Sequence, residues 1–247
     1  MPVTDTSVKS LENIEQNDSS KDGRKALVEK QLMEQACIIF AKKGYSGTTL
    51  SDIAEAVGLT RAAVYYYFRN KEALLEAIML DLTSAPMREI EAWRNDAPSD
   101  CSERLRSFII LRIHGILSRQ IQMRMIEVTE AVLPPELKER HTEAKRRILD
   151  EYRTILRDGM QSGVFRAQDD RVAAFGIIGI VNWTTTWFAP ARSPSVDQIA
   201  EQLADMAVRS VAVSADRQQD FTNPEAALKC LREDLDQLEH ALKSQRM

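Results

Sequence analysis

The stretch TRAAVYYYFRNKEAL, residues 60–74, combines residue types that suit contact with a polyanion. Thr60 is followed by Arg61 and two alanines, and three consecutive tyrosines, Tyr65 to Tyr67, come next. Successive residues of an α-helix point about 100° apart, so three adjacent rings cannot all face one core. An outward-facing phenol offers a flat apolar surface and a hydroxyl for phosphate, and Arg can donate two hydrogen bonds to guanine. The first hypothesis is therefore a nucleic-acid contact.

The elements that must position these residues are two short helices joined by a tight turn. Thr49 can cap the first helix, with Asp52 three residues later completing a capping-box pattern. Ala54 is small enough for a second helix to cross closely, and Gly58 suits a sharp turn that requires positive φ. Thr60 can then cap the second helix. This order of small residue, glycine and caps is what a helix-turn-helix needs.

In such a unit the second helix enters the major groove of DNA by its N-terminal end. The residues expected at this leading edge are Thr60, Arg61, Ala62 and Ala63. Those expected to face the core are Val64 and Phe68. Tyr65 and Tyr67 are expected to project toward the groove walls, whereas Tyr66 is expected to pack against the first helix. Asn70 can cap the following helix, where Lys71 would add positive charge to backbone N–H groups that face a phosphate.

Charge and composition narrow the class of protein. The 247-residue chain has a formal net charge of −4, yet residues 24–71 contain eight Lys or Arg and four Asp or Glu. A locally basic segment on an acidic body is consistent with phosphate contact at one end. Its three cysteines, Cys37, Cys101 and Cys230, have neither metal-ligand nor disulfide-framework spacing.

Several functional classes lack their sequence signals. The chain has no nucleophile elbow, phosphate-cradling glycine loop or metal-ligand spacing, so we expect neither an enzyme nor a bound cofactor or metal. It also has no N-terminal apolar signal region and no run near the ~18 apolar residues that a membrane span requires. These absences favour a soluble, cytoplasmic location.

Helix-period patterns follow one another along the chain, and no alternating strand pattern of useful length occurs. The sequence therefore predicts an all-α fold. The predicted parts are a disordered polar arm over residues 1–23, a three-helix DNA-binding domain over 24–70, a larger helical domain over 71–215, and a helical extension over 216–247. Leucines in the extension recur at intervals of three and four, which favours packing on its own or a partner subunit.

The N-terminal motifs together resemble the DNA-binding domain of the TetR family of transcriptional regulators. The matching elements include Gly44-Tyr45, Thr48-Thr49, Ile53-Ala54, Gly58, Val64-Tyr65, Tyr67-Phe68 and Lys71-Glu72. The resemblance implies a homodimer that reads a palindromic operator, with a C-terminal domain that binds a small molecule and pairs through a four-helix bundle. It places Thr49, Ser51, Thr60, Tyr65, Tyr67 and Lys71 near the DNA backbone, and Arg61, Ala62 and Tyr65 near bases. The polar arm could follow the adjacent minor groove or remain solvated.

Residues 171–188 are apolar on nearly every side of a helix, which predicts burial all round. Gly176 and Gly179 lie on one side of that helix and would permit a tight dimer contact. Asn182, Trp183 and the neighbouring threonines leave two interpretations open. The polar groups can bond to backbone carbonyls while the tryptophans fill the core, or the tryptophans can line a pocket.

The same segment resembles a TetR subgroup, typified by regulators of fatty-acid and sterol-ring catabolism, that has an Asn-Trp…Trp pattern before a proline. This similarity implies an acyl-CoA thioester effector, although Ala191-Arg192 stands where the subgroup has a glycine. The candidate effector-binding residues are Phe108, Arg112, Met123, Tyr152, Asn182, Trp183 and Trp187.

These observations predict a ligand-responsive repressor that binds double-stranded DNA as a homodimer and is released by a small hydrophobic or acyl-CoA-type effector, with no membrane partner. The alternatives are a small-molecule carrier and a protein-interaction adaptor, either of which would contain a helix-turn-helix that does not bind DNA. Operator binding should weaken steeply as salt concentration rises, whereas apolar contacts with a protein should not.

Overall fold

The computed structural model describes residues 6–213 and, further along the chain, residues 228, 231, 232 and 235. Nine α-helices and one 3-10 turn form the regular structure of residues 6–213, where the only β-type pairing is an isolated bridge between Phe165 and Ala212. The helices are α1 (Thr6–Lys43), α2 (Leu50–Ala56), α3 (Arg61–Tyr67), α4 (Lys71–Asn95), α5 (Cys101–Leu117), α6 (Gln120–Thr129), α7 (Pro135–Gln161), α8 (Asp170–Trp187) and α9 (Val196–Val211). The 3-10 turn, Glu130–Val132, follows α6. The predicted all-α fold is confirmed.

Helix α1 differs from the sequence expectation at its start. Residues 6–23, which were expected to belong to a disordered arm, continue the helix toward the N-terminus. No proline or glycine occurs from residue 6 to residue 22, and extending a formed helix is much less costly than starting one. The first five residues of the predicted arm lie outside the described residues.

Local signals set the ends of α2 and α3. The Thr49 hydroxyl oxygen accepts from the backbone N–H of Asp52 at 3.2 Å, and the Asp52 carboxylate accepts from the Thr49 N–H at 2.8 Å. Gly58 adopts a φ of +68°, in the left-handed region that strains other residues. The Thr60 hydroxyl oxygen then accepts from the N–H of Ala63 at 3.1 Å. The predicted capping box, positive φ and second cap are confirmed.

The chain divides into two compact units, each built from segments that are separate in sequence. The first unit contains the described residues of Met1–Asp96, Leu111–Ile148 and Asn182–Val196, and the second those of Ala97–Ile110, Leu149–Val181 and Asp197–Met247. The predicted division between residues 70 and 71 falls inside the first unit, where α4 packs against α1. The predicted extension over 216–247 lies outside the described residues apart from residues 228, 231, 232 and 235, which are helical.

The core of the first unit lies directly under the helix-turn-helix. Helix α1 packs against α2, α4 and α6, and α2 packs against α3. The buried cluster comprises Leu32, Ala36, Cys37, Phe40, Leu50, Ile53, Ala54, Val64, Phe68, Leu74, Leu75, Ile78, Met79, Leu82, Met125, Ile126, Leu133 and Leu137. Side chains from α4 and α6 therefore complete the core beneath α2 and α3.

The second unit has its own core, in which Phe108 and Tyr152 meet edge to face with ring centroids 4.7 Å apart. Phe165 is also fully buried and covers Gly159 on α7. A Cβ atom at residue 159 would lie 2.0 Å from Phe165 Cδ2, well inside van der Waals contact. Gly159 therefore provides the space that the Phe165 ring occupies.

Helix α8 is not buried on every side, and the prediction of all-round burial was wrong. Its large exposed side chains are Val172, Phe175, Trp183 and Trp187, with exposed fractions between 43% and 69%. Gly176 and Gly179 are exposed too, and no atom of the described residues lies within 4 Å of a Cβ built at either position. Composition reveals how apolar a helix is, but it does not reveal whether its own chain covers each side.

Replacing Gly159 with Ala should lower the free energy of unfolding by about 1–3 kcal/mol, because the new methyl group clashes with the buried ring of Phe165. Thermal unfolding followed by circular dichroism measures the effect. Gly23→Ala is the matched control and should be neutral or stabilising, since Gly23 lies in α1 and no described atom comes within 4 Å of its Cβ position. Adding Phe165→Leu to Gly159→Ala should restore part of the loss, and no restoration would contradict the proposed clash.

Candidate nucleic-acid interface

Helix α3 is held by one side only. Val64 is completely buried, and Phe68 at the helix end is 7% exposed in the same cluster. A seven-residue helix is too short to be stable alone in water, so its orientation depends on these contacts. The other side of α3 faces away from the core.

The side of α3 that faces away from the core carries the side chains suited to a DNA groove. Arg61, Ala62, Tyr65 and Tyr66 are all exposed, and their helical positions span about 140° of the circumference. Tyr65 is 43% exposed and Tyr66 is 74% exposed. A guanidinium, a small methyl group and two phenols therefore share one accessible surface, which we call the α3 surface.

Tyr66 and Tyr67 have the opposite environments from those expected. Tyr66, which was expected to pack against α2, is highly exposed, whereas Tyr67, which was expected at a groove wall, is half-buried against the core cluster. The signal was present in the sequence. Tyr67 is three residues after the buried Val64 and shares its side of the helix, whereas Tyr66 is two residues after it and points away.

Arg61 and Tyr65, one helical turn apart, contact each other on the α3 surface. The Arg61 Nη2 group donates to the Tyr65 hydroxyl oxygen at 3.1 Å, and Arg61 Cζ lies 5.4 Å from the centroid of the Tyr65 ring. The second distance is within the range of a cation–π contact. The guanidinium is thus held against the phenol by two weak interactions at once.

Helix α2 presents Thr49 and Ser51, both exposed, at its first turn. Thr49 is fixed by the capping box, and the partner carboxylate of Asp52 also accepts from Lys43 Nζ at 2.8 Å. The hydrogen bond from Lys43, together with those from Thr49, holds the pKa of Asp52 well below its usual range. The carboxylate therefore stays ionised at neutral pH and keeps the start of α2 in place.

Lys71 has a different environment from the one expected of a phosphate contact. Its ammonium group donates to the backbone carbonyls of Tyr45 at 2.7 Å and Thr48 at 2.9 Å, and lies 4.3 Å from the Tyr45 ring centroid. The Tyr45 hydroxyl in turn donates to Glu72 at 3.3 Å, and burial followed by the Glu72 charge raises the pKa of Tyr45 to about 12. These contacts tie the start of α4 to the loop before α2.

The candidate effector residues are divided between the two units, and Phe108 and Tyr152 contact each other in the second. Phe108 and Tyr152 fill the core of the second unit. In the first unit, Arg112 is buried and Met123 is half-buried against the core cluster, whereas Asn182, Trp183 and Trp187 are exposed on α8. Of the two interpretations of the tryptophans, filling of the core is therefore excluded over the part of the chain that the structure describes.

A groove of about 1170 Å³ in the first unit lies between α4 and the first half of α7. Its lining residues include Leu80, Thr83, Ser84, Met87, Arg88, Pro135, Lys138, Arg140, Ala144 and Arg147. None of the candidate effector residues lines it. Sequence reasoning missed this groove because α4 and α7 are separated by some forty residues, and no local pattern indicates that they adjoin.

Over residues 6–213 and the four described residues beyond them, no group of His, Cys, Asp and Glu side chains is arranged to hold a metal ion. In that same part of the chain, every helix is too short or too polar to cross a membrane.

Known proteins share both halves of this architecture. The family described as bacterial regulatory proteins of the tetR family matches residues 32–78, and that described as the tetracyclin repressor-like C-terminal domain matches residues 98–211. The HTH-type transcriptional repressor KstR2 of Rhodococcus jostii (strain RHA1) is 26% identical over 206 residues, which cover 78% of this chain and 94% of that protein.

Solved structures of known regulators are similar to this chain in fold. The TetR family transcriptional regulator PfmR from Thermus thermophilus aligns with a TM-score of 0.61 and 28% identity, covering 72% of this chain and 97% of that one. AibR in complex with isovaleryl coenzyme A and operator DNA aligns with a TM-score of 0.59 and 28% identity, covering 72% and 96% of the two chains. With both of its family-specific regions matched and the predicted helix-turn-helix in place, the chain belongs to the TetR family of bacterial transcriptional regulators.

Proposed function

We propose that the chain is a transcriptional repressor that reads a palindromic operator as a homodimer and is released by a small-molecule effector. One observation carries the proposal: Arg61, Ala62, Tyr65 and Tyr66 form an exposed surface on a helix whose opposite side is fixed in a core. A rigid, partly cationic edge of this kind suits insertion into a major groove.

The residues of this surface have separable roles. We assign base contacts to Arg61, which can donate two hydrogen bonds to guanine, and to the Ala62 methyl group. The residues assigned to the sugar–phosphate backbone are Thr49, Ser51, Thr60, Tyr65 and Tyr66, all of which are exposed. Tyr67, being half-buried, contributes mainly to the placement of α3. Lys71 holds the loop before α2 through two carbonyl groups.

A face of α8 that the described residues leave uncovered supports the homodimer. Val172, Phe175 and Trp183 are each at least 50% exposed, although aromatic and β-branched side chains normally gain free energy from burial. Gly176 and Gly179 on the same side leave room for another helix to approach closely. A second copy of the chain, presenting the same face, would cover these residues and place a second α3 on the operator.

The similarity to AibR supports an acyl-CoA thioester as the effector, because that protein was solved with isovaleryl coenzyme A. The groove between α4 and α7 offers volume for such a molecule, and its lining includes Arg88, Lys138 and Arg140 beside the apolar Leu80 and Met87. Cations of this kind suit phosphate groups, and the apolar residues suit an acyl chain. The candidate residues Phe108, Arg112, Met123, Tyr152, Asn182, Trp183 and Trp187 remain a prediction.

The DNA-binding function predicts that the full-length protein, incubated with synthetic duplexes containing about 20 randomised base pairs, will enrich an inverted repeat. Fluorescence anisotropy with the enriched duplex should then show log affinity falling linearly with log salt concentration, by about 0.9 for each phosphate contacted. A scrambled duplex of the same composition is the control. Enrichment of no sequence, with a shallow salt dependence, would favour the adaptor or carrier function instead.

Lys71→Met should lower the free energy of unfolding by about 1–3 kcal/mol, because two loop carbonyls lose their donor. It should also weaken operator binding while leaving the slope of log affinity against log salt unchanged. A slope reduced by about 1 would show instead that Lys71 contacts a phosphate. Lys138→Met, the same change at an exposed lysine of α7, should alter neither the melting temperature nor the slope.

Isovaleryl coenzyme A or a longer acyl coenzyme A should reduce affinity for the enriched duplex by about tenfold, a typical size for coupling between two sites. Anisotropy titrations measure the change, and free coenzyme A is the control. Native mass spectrometry of the same sample should show two chains with bound thioester. Unchanged affinity at saturating thioester would reject this effector class and leave the DNA-binding function standing.

A further inference from the structure

The contact between Arg61 and Tyr65 has a geometry that a simple backbone contact does not require. A tyrosine that only donates to a phosphate needs no neighbour, yet Tyr65 accepts a hydrogen bond from Arg61 Nη2 at 3.1 Å and lies beside its guanidinium. Both side chains are exposed, so the contact forms where solvent competes for both groups. It joins the one cation at the leading edge of α3 to the next turn of the same helix.

The contact leaves the groups needed for DNA available. A guanidinium has five N–H donors, and reading guanine O6 and N7 takes two, so the bond to Tyr65 uses a donor that base reading does not require. The Tyr65 hydroxyl accepts from Arg61 through its oxygen and therefore still has its own proton to donate. A phosphate oxygen is a strong acceptor for that proton.

A long exposed arginine loses rotamer freedom when it is fixed against a base, and this loss opposes binding. Holding the guanidinium against a phenol before DNA arrives reduces the loss. The backbone that carries the phenol is itself anchored, because Val64, the residue before Tyr65, is fully buried. The ordered core thus restricts Arg61 through Tyr65.

We propose, on the basis of the DNA-binding function proposed above, that Tyr65 is a positioning and specificity residue. It holds Arg61 ready to read a base and donates its own hydroxyl proton to the DNA backbone. The hydrogen bonds then run from Arg61 to Tyr65 and from Tyr65 to phosphate, so that base reading and backbone position are coupled. Such chains of hydrogen bonds strengthen one another.

The test uses the full-length protein and the same randomised duplexes. Arg61→Ala should abolish the base preference at one position of each half-site, a loss of roughly 5- to 150-fold. Tyr65→Phe keeps the ring and removes the hydroxyl, and it should reduce preference at that same position by roughly 2- to 10-fold. The double variant should lose no more preference than Arg61→Ala alone, because Tyr65 then has no guanidinium to hold.

Two measurements on Tyr65→Phe and one control variant separate this role from a structural one. Tyr65→Phe should leave the melting temperature and the salt slope unchanged, since no buried contact and no charge is removed. Tyr66→Phe is the same chemical change at the neighbouring exposed ring, and it should lower affinity for all sequences equally without changing the preference at the Arg61 position.

The outcomes distinguish this inference from the function on which it rests. If Tyr65→Phe weakens every sequence by one factor, or if its effect on preference adds fully to that of Arg61→Ala, then Tyr65 contacts only the backbone and the inference is overturned while the DNA-binding function stands. The same holds if Arg61→Ala changes no preference. If the wild-type protein enriches no sequence, the DNA-binding function fails and the inference fails with it.

Discussion

The placement of α3 depends on the burial of Val64 and Phe68 in the core of the first unit. Seven residues cannot maintain a helix in water without such burial, so the free energy that orients Arg61 comes from apolar contacts on the far side of the helix. The contact between Arg61 and Tyr65 orders two side chains on the exposed surface, but it contributes little to the placement of the helix itself. Any contact that the exposed side of α3 makes therefore depends on packing at the opposite side of the helix.

A second level of order comes from hydrogen bonds at the helix ends. The Thr49 capping box, the Lys43–Asp52 ion pair and the two bonds from Lys71 all act on the short segment before and at the start of α2. Each contact is modest alone, yet together they fix the loop between residues 44 and 49 from both sides. Lys71 begins α4, so its two bonds tie the start of α4 to the loop that leads into α2.

Much of this arrangement was accessible from sequence because it is governed by local rules. The cap at Thr49, the positive φ of Gly58 and the cap at Thr60 are local features. Each cap joins residues three positions apart, and the positive φ is a property of the glycine itself. The acceptors of Lys71 could not be predicted in this way, since they lie 23 and 26 residues earlier and become neighbours only when α1 and α4 pack. The exposed face of α8 was missed for a related reason, because sequence shows apolar character and not what covers it.

Met125 and Ile126 of α6 are buried in the same cluster as Val64, although some sixty residues separate them along the chain. A fragment cut after residue 70 would therefore lose not only Leu74 and Ile78 but also this distant contribution, and would expose an apolar surface where its core should close. The helix-turn-helix consequently has no complete core of its own. Single substitutions at the exposed residues of α3 leave this shared interior intact, whereas removal of the distant helices would not.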